Sequence, residues 1–223
     1  MNVIITGASR GIGFELTKLF SHKGSSVLAI SRNTSSLEKL ELDNVIPLQF
    51  DLQEEDYAPI KQKISQWKSV DIIINNAGSL INKPFQQISD QELNSIYQVN
   101  VFSPFRLIRD MMPHLSDDAH IVNISSMGGI QGSAKFPGLS AYSSSKGALT
   151  ILTECLAQEF SQTNIRFNAL ALGAVQTQML KEAFPDFHAQ TTSDQMANYI
   201  YRFAVLDKEL YNGKVLPVSF STP

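Results

Sequence analysis

The 223-residue sequence contains one cysteine, Cys155, so no disulfide bond can form within the chain. Cys155 falls on the apolar face of a predicted helix, and we predict a packed thiol rather than a nucleophile; the other members of that face are Ala148, Ile151, Leu152 and Leu156. Basic residues are not in excess either, since 18 lysines and arginines against 21 acidic residues give a formal net charge of −3. The sequence therefore offers no basic patch that would support binding to nucleic acid.

Long hydrophobic runs are also lacking. No apolar run approaches the roughly 20 residues of a membrane-spanning helix, and the first strand begins at residue 2, which leaves no room for a signal peptide. We therefore expect a cytoplasmic protein with no membrane partner. Four histidines share no ligand spacing, so no metal site is predicted; they are His22, His114, His120 and His188.

The N-terminus carries the first positive signal. Residues 2–6 form an apolar run that predicts a buried strand, and residues 7–13, GASRGIG, follow it directly before a helical pattern begins. Backbone N–H groups at a helix N-terminus attract phosphate, and glycines let a phosphate approach the backbone. The spacing differs from the G-x-G-x-x-G dinucleotide fingerprint, so a simple tight turn between strand and helix is the alternative.

A second signal is the pair Tyr142 and Lys146, which stand four residues apart. On a helix this spacing puts both side chains on one face. A cation about 4 Å from a phenol at intermediate dielectric favours the phenolate by up to ~4 kcal/mol, which would bring the tyrosine towards the range of a general acid or base. The alternative is that Y-x-x-x-K is a common accident on an amphipathic helix.

Strand and helix patterns alternate without a linker, which predicts a single domain over residues 1–223. Seven strands are predicted, at residues 2–6, 26–30, 45–50, 70–75, 119–125, 164–172 and 214–218. Helices are predicted at residues 12–22, after Ser35-x-x-Glu38, at 53–67, from Ser89-x-x-Glu92 to about 115, at 140–160 and after Thr192-x-x-Gln195. The predicted fold class is α/β, a doubly wound, mostly parallel seven-stranded sheet with helices on both faces (Rossmann-like), which binds ligands beyond the strand carboxyl ends.

Several motifs follow one another in a fixed order within this pattern. They are Thr6-Gly-x-x-x-Gly-x-Gly13, Asn75-Asn76-Ala77-Gly78 after a later strand, Asn100 in a helix, Ser126 after the fifth strand, and then Tyr142 and Lys146. With these motifs the chain resembles the short-chain dehydrogenase/reductase family, and the resemblance runs nearly from end to end.

The resemblance implies an active site of four residues. Ser126 would hydrogen-bond the substrate oxygen, and Tyr142 would transfer the proton. Lys146 would hold the nicotinamide ribose and lower the tyrosine pKa, while Asn100 would help to form a proton relay. Ser125 competes with Ser126, and the resemblance favours Ser126.

The resemblance also implies an NADP(H) site. The matching positions are Thr6, Gly7, Ser9, Arg10, Gly11, Ile12, Gly13, Arg32, Asp51, Leu52, Asn76, Ala77, Gly78, Tyr142, Lys146, Gly173, Val175 and Thr177. We predict NADPH over NADH because Arg32 stands where an NAD site would carry a diol-binding acid, and Arg10 could help it to clamp a 2′-phosphate. The alternative is that Arg32 is a solvated loop charge. Asp51 would lie near the adenine, cap the following helix, or do both.

Three features depart from the family pattern. The stretch from Ser126 to Tyr142 is three residues longer than in common members, so Ser133 could also reach the site. Leu172 stands where a proline usually precedes Gly173, and we expect cofactor binding to survive with a changed backbone path. The ending PVSFSTP lacks the usual glycine pair, in a region that often supplies substrate-pocket and subunit contacts.

A short substrate lid is expected at about residues 178–191, opposite residues 79–85 on another side of the cleft. Its apolar residues suit an apolar substrate body, or equally a helix face packed on the domain, because amphipathic spacing is the same for both. These residues are Met179, Leu180, Phe184 and Phe187.

Together these expectations describe an oxidoreductase that transfers a hydride between NADP(H) and a carbonyl or secondary alcohol substrate, as a homodimer or homotetramer. One alternative is a catalytically silent NADP-binding regulatory or scaffold protein of the same fold. Another is an epimerase or dehydratase with the same cofactor, which the short chain and small lid disfavour.

Pro104 leads to a separate hypothesis, because it follows Asn100 by four residues inside a predicted helix. Proline has no N–H to give to the carbonyl four residues earlier. We hypothesise that the Asn100 carbonyl is kept free to hold a water that reaches Lys146. The alternative is that Pro104 only kinks the helix around the core.

Overall fold

The computed structural model describes residues 1–220, so the last three residues of the unusual ending lie outside the described part of the chain. The strands are β1 (Asn2–Thr6), β2 (Ser26–Ser31), β3 (Val45–Gln49), β4 (Val70–Asn75), β5 (Leu115–Ser126), β6 (Arg166–Leu172), β7 (Val175–Gln176), β8 (Thr191–Thr192) and β9 (Val215–Val218). The α-helices are α1 (Gly11–His22), α2 (Ser35–Glu38), α3 (Ala58–Lys63), α4 (Asp90–Tyr97), α5 (Ser103–Met111), α6 (Ser140–Glu159), α7 (Gln178–Ala183) and α8 (Ser193–Val205).

Seven strands of the described chain form one sheet in the order β3-β2-β1-β4-β5-β6-β9. All neighbouring pairs in it are parallel, while β7 and β8 pair separately. The predicted doubly wound fold is confirmed. The strand order reverses between β1 and β4, and ligands of such sheets bind beyond the carboxyl ends of the strands at that point.

Each face of the sheet buries its own apolar layer, because successive side chains of a strand point to opposite faces. Val3 and Ile5 of β1 pack in one layer with Leu16 and Phe20 of α1. Ile4 packs in the other layer, which α3, α5 and α6 cover. A sheet covered on both faces explains why β1 and β4 are nearly continuous apolar runs in the sequence.

The helix predicted at residues 53–67 is much shorter in the structure, where α3 covers only Ala58–Lys63. Pro59 lies in the first turn of α3, the one place where a helix tolerates its missing N–H, so the helix cannot begin much earlier. Asp51 therefore does not cap this helix. Its Oδ1 atom instead accepts a hydrogen bond from the backbone N–H of Gln53 at 3.0 Å, within a local turn.

The long helix predicted up to residue 115 is also interrupted. The capping box of Ser89 and Glu92 forms as predicted, but a π-helical turn over Gln98–Phe102 separates α4 from α5. The N–H of Ser103 bonds the Gln98 carbonyl, five residues back instead of four. Since Pro104 supplies no N–H, a regular helical ladder cannot run through this point.

Two further local predictions have opposite outcomes. The capping box of Thr192 and Gln195 forms at the start of α8. The one predicted for Ser35 and Glu38 does not form, because the helix begins one residue earlier and Thr34 occupies the N-cap position without a side-chain cap bond. Instead the Thr34 hydroxyl donates to Glu38 Oε1 at 2.7 Å.

The prediction of a packed Cys155 is wrong, because this residue is exposed. Ile151, one turn earlier on α6, is 59% exposed as well. The stripe is divided in the structure, since Leu156 packs against the core while Ile151 and Cys155 are exposed in the single chain. Helical periodicity identifies such a stripe without saying what covers it.

Candidate active site

The glycine turn between β1 and α1 brings the backbone into a conformation that favours glycine. Gly7 and Gly11 have φ angles of +66° and +56°, a region that side chains disfavour. A Cβ atom on Gly13 would collide with the Gly7 carbonyl oxygen. The turn is therefore tightly folded at both ends, and a bound group could approach its backbone closely.

Side chains from β4 hold this turn against the sheet. The Thr6 hydroxyl accepts hydrogen bonds from the backbone N–H groups of Asn76 and Ala77 at 3.1 and 3.0 Å. The Asn76 amide in turn donates to the carbonyls of Thr6 and Gly7 at 3.0 and 3.2 Å. The residues predicted to bind cofactor at positions 6, 7, 76 and 77 are thus brought together, and the Asn76 side chain serves the turn itself.

The turn fits the phosphates of a dinucleotide. The N-terminus of α1 has no side-chain cap and no acidic residue in its first turn, so its N–H groups and positive dipole end are not used by the helix itself. A Cβ at Gly13 would clash with the Gly7 carbonyl and the Asn76 amide, so only glycine allows the turn to keep this path. Ser9, Gly11, Ile12 and Gly13 would hold the phosphates here.

Beyond β2 and β3, a cavity of about 520 Å³ is lined by Arg32, Gln49, Phe50 and Asp51. It lies next to the glycine turn, since the Ser31 hydroxyl donates to the Ser9 hydroxyl at 2.7 Å. Leu52 is buried in the core layer, so its side chain does not line this cavity. An adenosine group with its substituents would fit between Arg32 and Asp51.

Helix α6 places Tyr142 and Lys146 on one face, as their spacing predicts. The Lys146 ammonium lies 5.9 Å from the centroid of the Tyr142 ring and donates a 2.7 Å hydrogen bond to the Ile124 carbonyl of β5. Lys146 is buried although it is charged. Its head group is thus fixed between the helix and the strand.

The same helix is bound to β5 through a set of buried contacts that we call the β5–α6 seam, formed by Asn123, Ser125, Lys146 and Thr153. The Ser125 hydroxyl donates to the Lys146 carbonyl at 2.9 Å. The Asn123 amide donates to the Thr153 hydroxyl at 2.9 Å and accepts from the Asn75 amide at 2.8 Å. Ser125 therefore has a structural role, which separates it from Ser126.

Ser126 is the serine that meets the tyrosine. Its hydroxyl hydrogen-bonds the Tyr142 phenol and accepts from the backbone N–H of Gly128 at 3.2 Å. Ser133 does not compete for the site, because its hydroxyl donates to the Ile130 carbonyl of its own loop at 2.9 Å. Lys135 also donates to the Ser133 hydroxyl, at 2.6 Å.

The direction of one pKa differs from the prediction. Burial raises the pKa of Tyr142 above its usual value, and the hydrogen bond from Ser126 offsets this only in part. Burial also lowers the pKa of Lys146 to about 8. The expected lowering of the tyrosine pKa by Lys146 is therefore not found, because desolvation outweighs a cation whose hydrogen bond goes to Ile124. At neutral pH the phenol carries its proton.

Asn100 lies in the π-helical turn and is completely buried. Its Oδ1 accepts from the Ser79 N–H at 2.8 Å, and its Nδ2 donates to the Ser79 carbonyl and the Ser145 hydroxyl, both at 2.9 Å. A Cβ on Gly78 would lie 3.6 Å from the Lys146 ammonium and 3.7 Å from Asn100 Oδ1. Asn100 thus joins the loop after β4 to α6 beside Lys146.

The π-helical turn also changes which carbonyl lacks its ordinary partner. The Val99 carbonyl receives no hydrogen bond from the Ser103 N–H, because that N–H bonds the Gln98 carbonyl. The Ser103 hydroxyl donates to the Val99 carbonyl instead, at 2.8 Å. The Asn100 carbonyl has Pro104 four residues later and so receives no i+4 bond. The water-holding hypothesis for this carbonyl stays a prediction.

The segment after β6 leads to the lid. The strand continues through Leu172, which pairs with Val218, and the Gly173 N–H donates to the Val218 carbonyl at 2.9 Å. Thr177 then caps α7 by accepting from the Leu180 N–H at 3.2 Å. The positions predicted to contact the cofactor at Gly173, Val175 and Thr177 follow the same carboxyl edge of the sheet.

The lid consists of α7 and the residues up to β8. Met179 lies over the site, since its Cε would be 3.8 Å from a Cβ on Gly78, while Phe187 is 51% exposed. At the carboxyl end of α7, the Ala183 carbonyl accepts a hydrogen bond from the Asn82 amide at 2.9 Å. Met179 thus agrees with the alternative of a pocket wall, whereas the exposed Phe187 does not pack on the domain as the other alternative requires.

Three residues that position this site were missed in the sequence, namely Asn82, Ser145 and Glu182, which pairs with Arg10. Ser145 carried a usable signal, because it immediately precedes Lys146 on the active-site helix. Asn82 and Glu182 carried none, since each is an ordinary polar residue in an exposed segment. Each of these two residues contacts a residue more than 100 positions away in the sequence.

A larger cavity, about 730 Å³, lies beside the active site. Its wall is formed largely by the long loop between Ser126 and Tyr142, together with Phe85 and with Ser143 and Gly147 of α6. Gly128 separates it from the site, since a Cβ there would lie 3.7 Å from the Ser126 hydroxyl. The three extra residues of the loop therefore enlarge a neighbouring hollow.

Within residues 1–220, no group of three or more His, Cys, Asp and Glu residues is placed to hold a metal ion. In the same part of the chain, none of the helices has the length and apolar character needed to cross a membrane.

Comparison with known proteins agrees with this architecture. The family model described as short chain dehydrogenase matches residues 1–187. Carbonyl reductase (NADPH) 2 of Sus scrofa is 30% identical over 191 residues, which cover 83% of this chain and 76% of the reductase. The 3-oxoacyl-(acyl-carrier-protein) reductase FabG of Chlamydia trachomatis is also 30% identical over 191 residues, covering 80% of this chain and 75% of that protein.

Among solved structures, 4-hydroxyisoleucine dehydrogenase complexed with NADH is 26% identical. It superposes with a TM-score of 0.87 over 98% of this chain and 96% of its own. The named cofactors differ between these proteins, NADPH for the porcine reductase and NADH for the dehydrogenase.

Proposed function

This chain belongs to the short-chain dehydrogenase/reductase family, and from that premise we propose that it transfers a hydride between NADP(H) and a carbonyl or secondary alcohol substrate. The observation that carries the proposal is the meeting of Ser126, Tyr142, Lys146 and Asn100 at the carboxyl edge of the sheet. This edge also holds the glycine turn, so a nicotinamide ring and a carbonyl group would share one cleft.

When bound, the nicotinamide cofactor supplies or accepts the hydride. Tyr142, protonated at neutral pH because burial raises its pKa, is suited to give its proton to the oxygen of a carbonyl that is being reduced. Ser126, which already bonds the phenol, would hold the same oxygen. Lys146 is mostly ammonium below a pKa of about 8 and would bind the ribose hydroxyls and stabilise the phenolate left by proton transfer.

The proposed preference for NADPH depends on Arg32. No acid follows β2 to bind a ribose diol, and Arg32 instead lines the 520 Å³ cavity with Asp51. A guanidinium group suits a phosphate through paired hydrogen bonds. We expect Arg32→Ala to reduce the ratio of NADPH to NADH affinity and Arg32→Lys to keep part of it. Equal dissociation constants for both cofactors in the wild-type protein would refute the preference.

The activity itself is tested by following NADPH oxidation with a broad panel of aldehydes and ketones. Turnover that disappears in Tyr142→Phe while NADPH still binds would support the proposal. The absence of turnover with every compound, despite cofactor binding, would favour the second candidate.

That second candidate is an NADP-binding regulator without turnover. One observation favours it, namely that the Lys146 ammonium bonds the Ile124 carbonyl at 2.7 Å and does not lower the tyrosine pKa. The two candidates differ in whether Tyr142→Phe changes any rate, so the same variant distinguishes them.

We also propose a homodimer or homotetramer in the cytoplasm. Four large apolar side chains are exposed on α4, the π-helical turn, α5 and α6, namely Leu93 at 40%, Phe102 at 43%, Phe105 at 48% and Ile151 at 59%. These helices are neighbours, since the Tyr97 hydroxyl bonds the Ser144 hydroxyl at 3.1 Å. An apolar patch of this kind suits a subunit interface.

Light scattering tests the assembly. Phe105→Asp should shift the protein towards monomer, whereas Phe85→Asp, at a residue 77% exposed on a different segment, should not. A wild-type monomer at working concentration would contradict the proposal.

A further inference from the structure

Arg10 stands between the glycine turn and the lid. It is the N-cap residue of α1, and its Nη1 atom lies 3.4 Å from Oε1 of Glu182 on α7. The side chains of both residues are about half exposed, at 50% and 56%. An ion pair therefore spans the cleft between the turn that would hold the cofactor phosphates and the helix that covers the site.

The Glu182 carboxylate is held in this position by contacts of its own helix. Gln178 Nε2 donates to the same Oε1 atom at 2.8 Å. The next residue, Ala183, accepts the 2.9 Å bond from Asn82 on the opposite wall of the cleft. At the start of the lid, a Cβ on Gly11 would lie 3.4 Å from the Thr177 side chain. The negative charge would thus stay beside the glycine turn even if Arg10 moved away.

Within residues 1–220, Glu182 is the only acid in an ion pair with Arg10. The first turn of α1 contains no acidic residue, and Glu38, on the neighbouring α2, accepts from the Thr34 hydroxyl at 2.7 Å. Glu182 is consequently the carboxylate that a phosphate near Arg10 would meet. A guanidinium has five N–H donors and could bond both groups, but the two anions would still repel each other.

We propose that Glu182 is a specificity-determining residue, which lowers the preference for NADPH by competing with the cofactor 2′-phosphate for Arg10. The inference rests on the proposed function, since it needs a nicotinamide dinucleotide in the cleft. Both cofactors carry the pyrophosphate, but NADH lacks the 2′-phosphate, so the carboxylate opposes NADPH binding more strongly than NADH binding. The lid therefore takes part in cofactor selection as well as in covering the substrate.

The test is a pair of dissociation constants, for NADPH and NADH, measured by fluorescence titration at low ionic strength. Glu182→Gln keeps the size of the side chain and removes its charge. We expect NADPH to bind about two- to fivefold more tightly to this variant, the range for one half-exposed charge interaction, with a smaller change in the NADH constant. Added salt should reduce the difference, because exposed charges are screened.

Two controls separate this interaction from a general charge effect. Asp186→Asn removes an exposed charge from the same lid, at a residue with no ion pair in the described chain, and should leave both constants unchanged. In an Arg10→Ala background, Glu182→Gln should favour NADPH much less, because only the direct repulsion between the carboxylate and the 2′-phosphate is then relieved.

Equal constants in wild type and Glu182→Gln would overturn the inference, as would the same gain from Asp186→Asn or persistence of the full gain without Arg10. A wild-type protein that binds neither cofactor would overturn the proposed function and this inference together. Failure of the inference alone leaves cofactor binding intact, so the two failures are distinguishable.

Discussion

The β5–α6 seam and the lid lie on either side of the same cleft, but they are held in different ways. In the seam, Asn123, Ser125, Lys146 and Thr153 are at most 3% exposed and bond one another or their neighbouring backbone. In the lid, Glu182 and Ala183 are linked to other parts of the fold by one polar contact each, to Arg10 and Asn82, both near the surface.

The buried seam therefore supports the residues proposed for proton transfer, whereas the exposed lid carries residues proposed to select the cofactor and the substrate. Proton transfer depends on distances of a few tenths of an ångström, which a buried and fully bonded seam can maintain. Selection among cofactors and substrates needs only modest energies, which exposed contacts supply and can readily change. The following experiments test whether the two regions differ as much in energy as they do in burial.

The largest effect is expected in the rigid region, from Tyr142→Phe. The phenylalanine keeps the ring and removes the proton donor, so turnover should fall about 10²- to 10⁴-fold, or about 3–5 kcal/mol in activation free energy. Cofactor dissociation constants and the unfolding midpoint should stay close to wild type. Turnover near the wild-type value on a confirmed substrate would show that the seam does not carry the reaction.

Low pH should destabilise β5, the strand of the β5–α6 seam, through His120. His120 of β5 is buried, with Nδ1 bonded to the Ala204 carbonyl at 3.1 Å and Nε2 bonded to Asn168 at 3.0 Å. Its pKa is lowered to about 4, chiefly by burial; the bond to Ala204 raises it in part, and the charges of Lys208 and Arg166 contribute to the lowering. The unfolded chain therefore takes up this proton at higher pH than the folded chain.

It follows that stability from His120 is complete above about pH 6.5 and falls as the pH drops towards 4. The loss should be about 3 kcal/mol in the free energy of unfolding, from 2.5 pKa units at about 1.4 kcal/mol each. Urea unfolding between pH 7.5 and 4.5 measures it. His120→Gln should flatten the profile, whereas His22→Gln, at an exposed residue, should reproduce the wild-type slope.

An intermediate effect is expected from Thr153→Val. The change keeps the shape of the side chain and leaves the buried Asn123 amide without its acceptor, at a cost of about 2 kcal/mol in unfolding free energy. Thr163→Val is the control, because this hydroxyl lies in an exposed turn. If both variants unfolded at the same denaturant concentration, the seam would be no more rigid than the surface.

The smallest change in stability is expected in the lid, from Asn82→Ala. Since Asn82 is exposed and bonds a single carbonyl, its loss should alter the free energy of unfolding by less than about 0.5 kcal/mol. Trypsin should nevertheless cut faster at Lys181, because α7 would open more often. Unchanged cleavage at Lys181 would mean that Asn82 does not hold the lid.

The same contrast explains how much could be predicted from the sequence. The strands, the glycine turn and α6 follow from local patterns, since periodic burial and capping residues act over a few positions. Ser125 and Ser126 were separated only by the family resemblance and not by their local pattern, because the strand directs one side chain to the Lys146 carbonyl and the next to the Tyr142 phenol. That assignment requires the partner helix.

Predictions were wrong where the local sequence pattern did not reveal the packing around a residue, or where a second feature opposed the pattern. The helix at residues 53–67 satisfied an amphipathic pattern that Pro59 restricts to Ala58–Lys63. Cys155 was assigned to an apolar stripe of α6, yet it is exposed in the single chain, whereas Leu156 of the same stripe packs against the core. The pKa of Tyr142 was predicted from one neighbouring charge, whereas burial, which the sequence does not report, raises it.

The π-helical turn at Gln98–Phe102 has a consequence for how this gene can change. A π turn is equivalent to a helix that has gained one residue, and each residue rotates an α-helix by about 100°. Deleting Val101 would bring α4 and α5 into α-helical register, although Pro104 would still leave one carbonyl without its N–H partner, and it would swing the Asn100 amide away from Ser79 and Ser145. Single-residue deletions, which surface loops commonly tolerate, should therefore be selected against within this one helix.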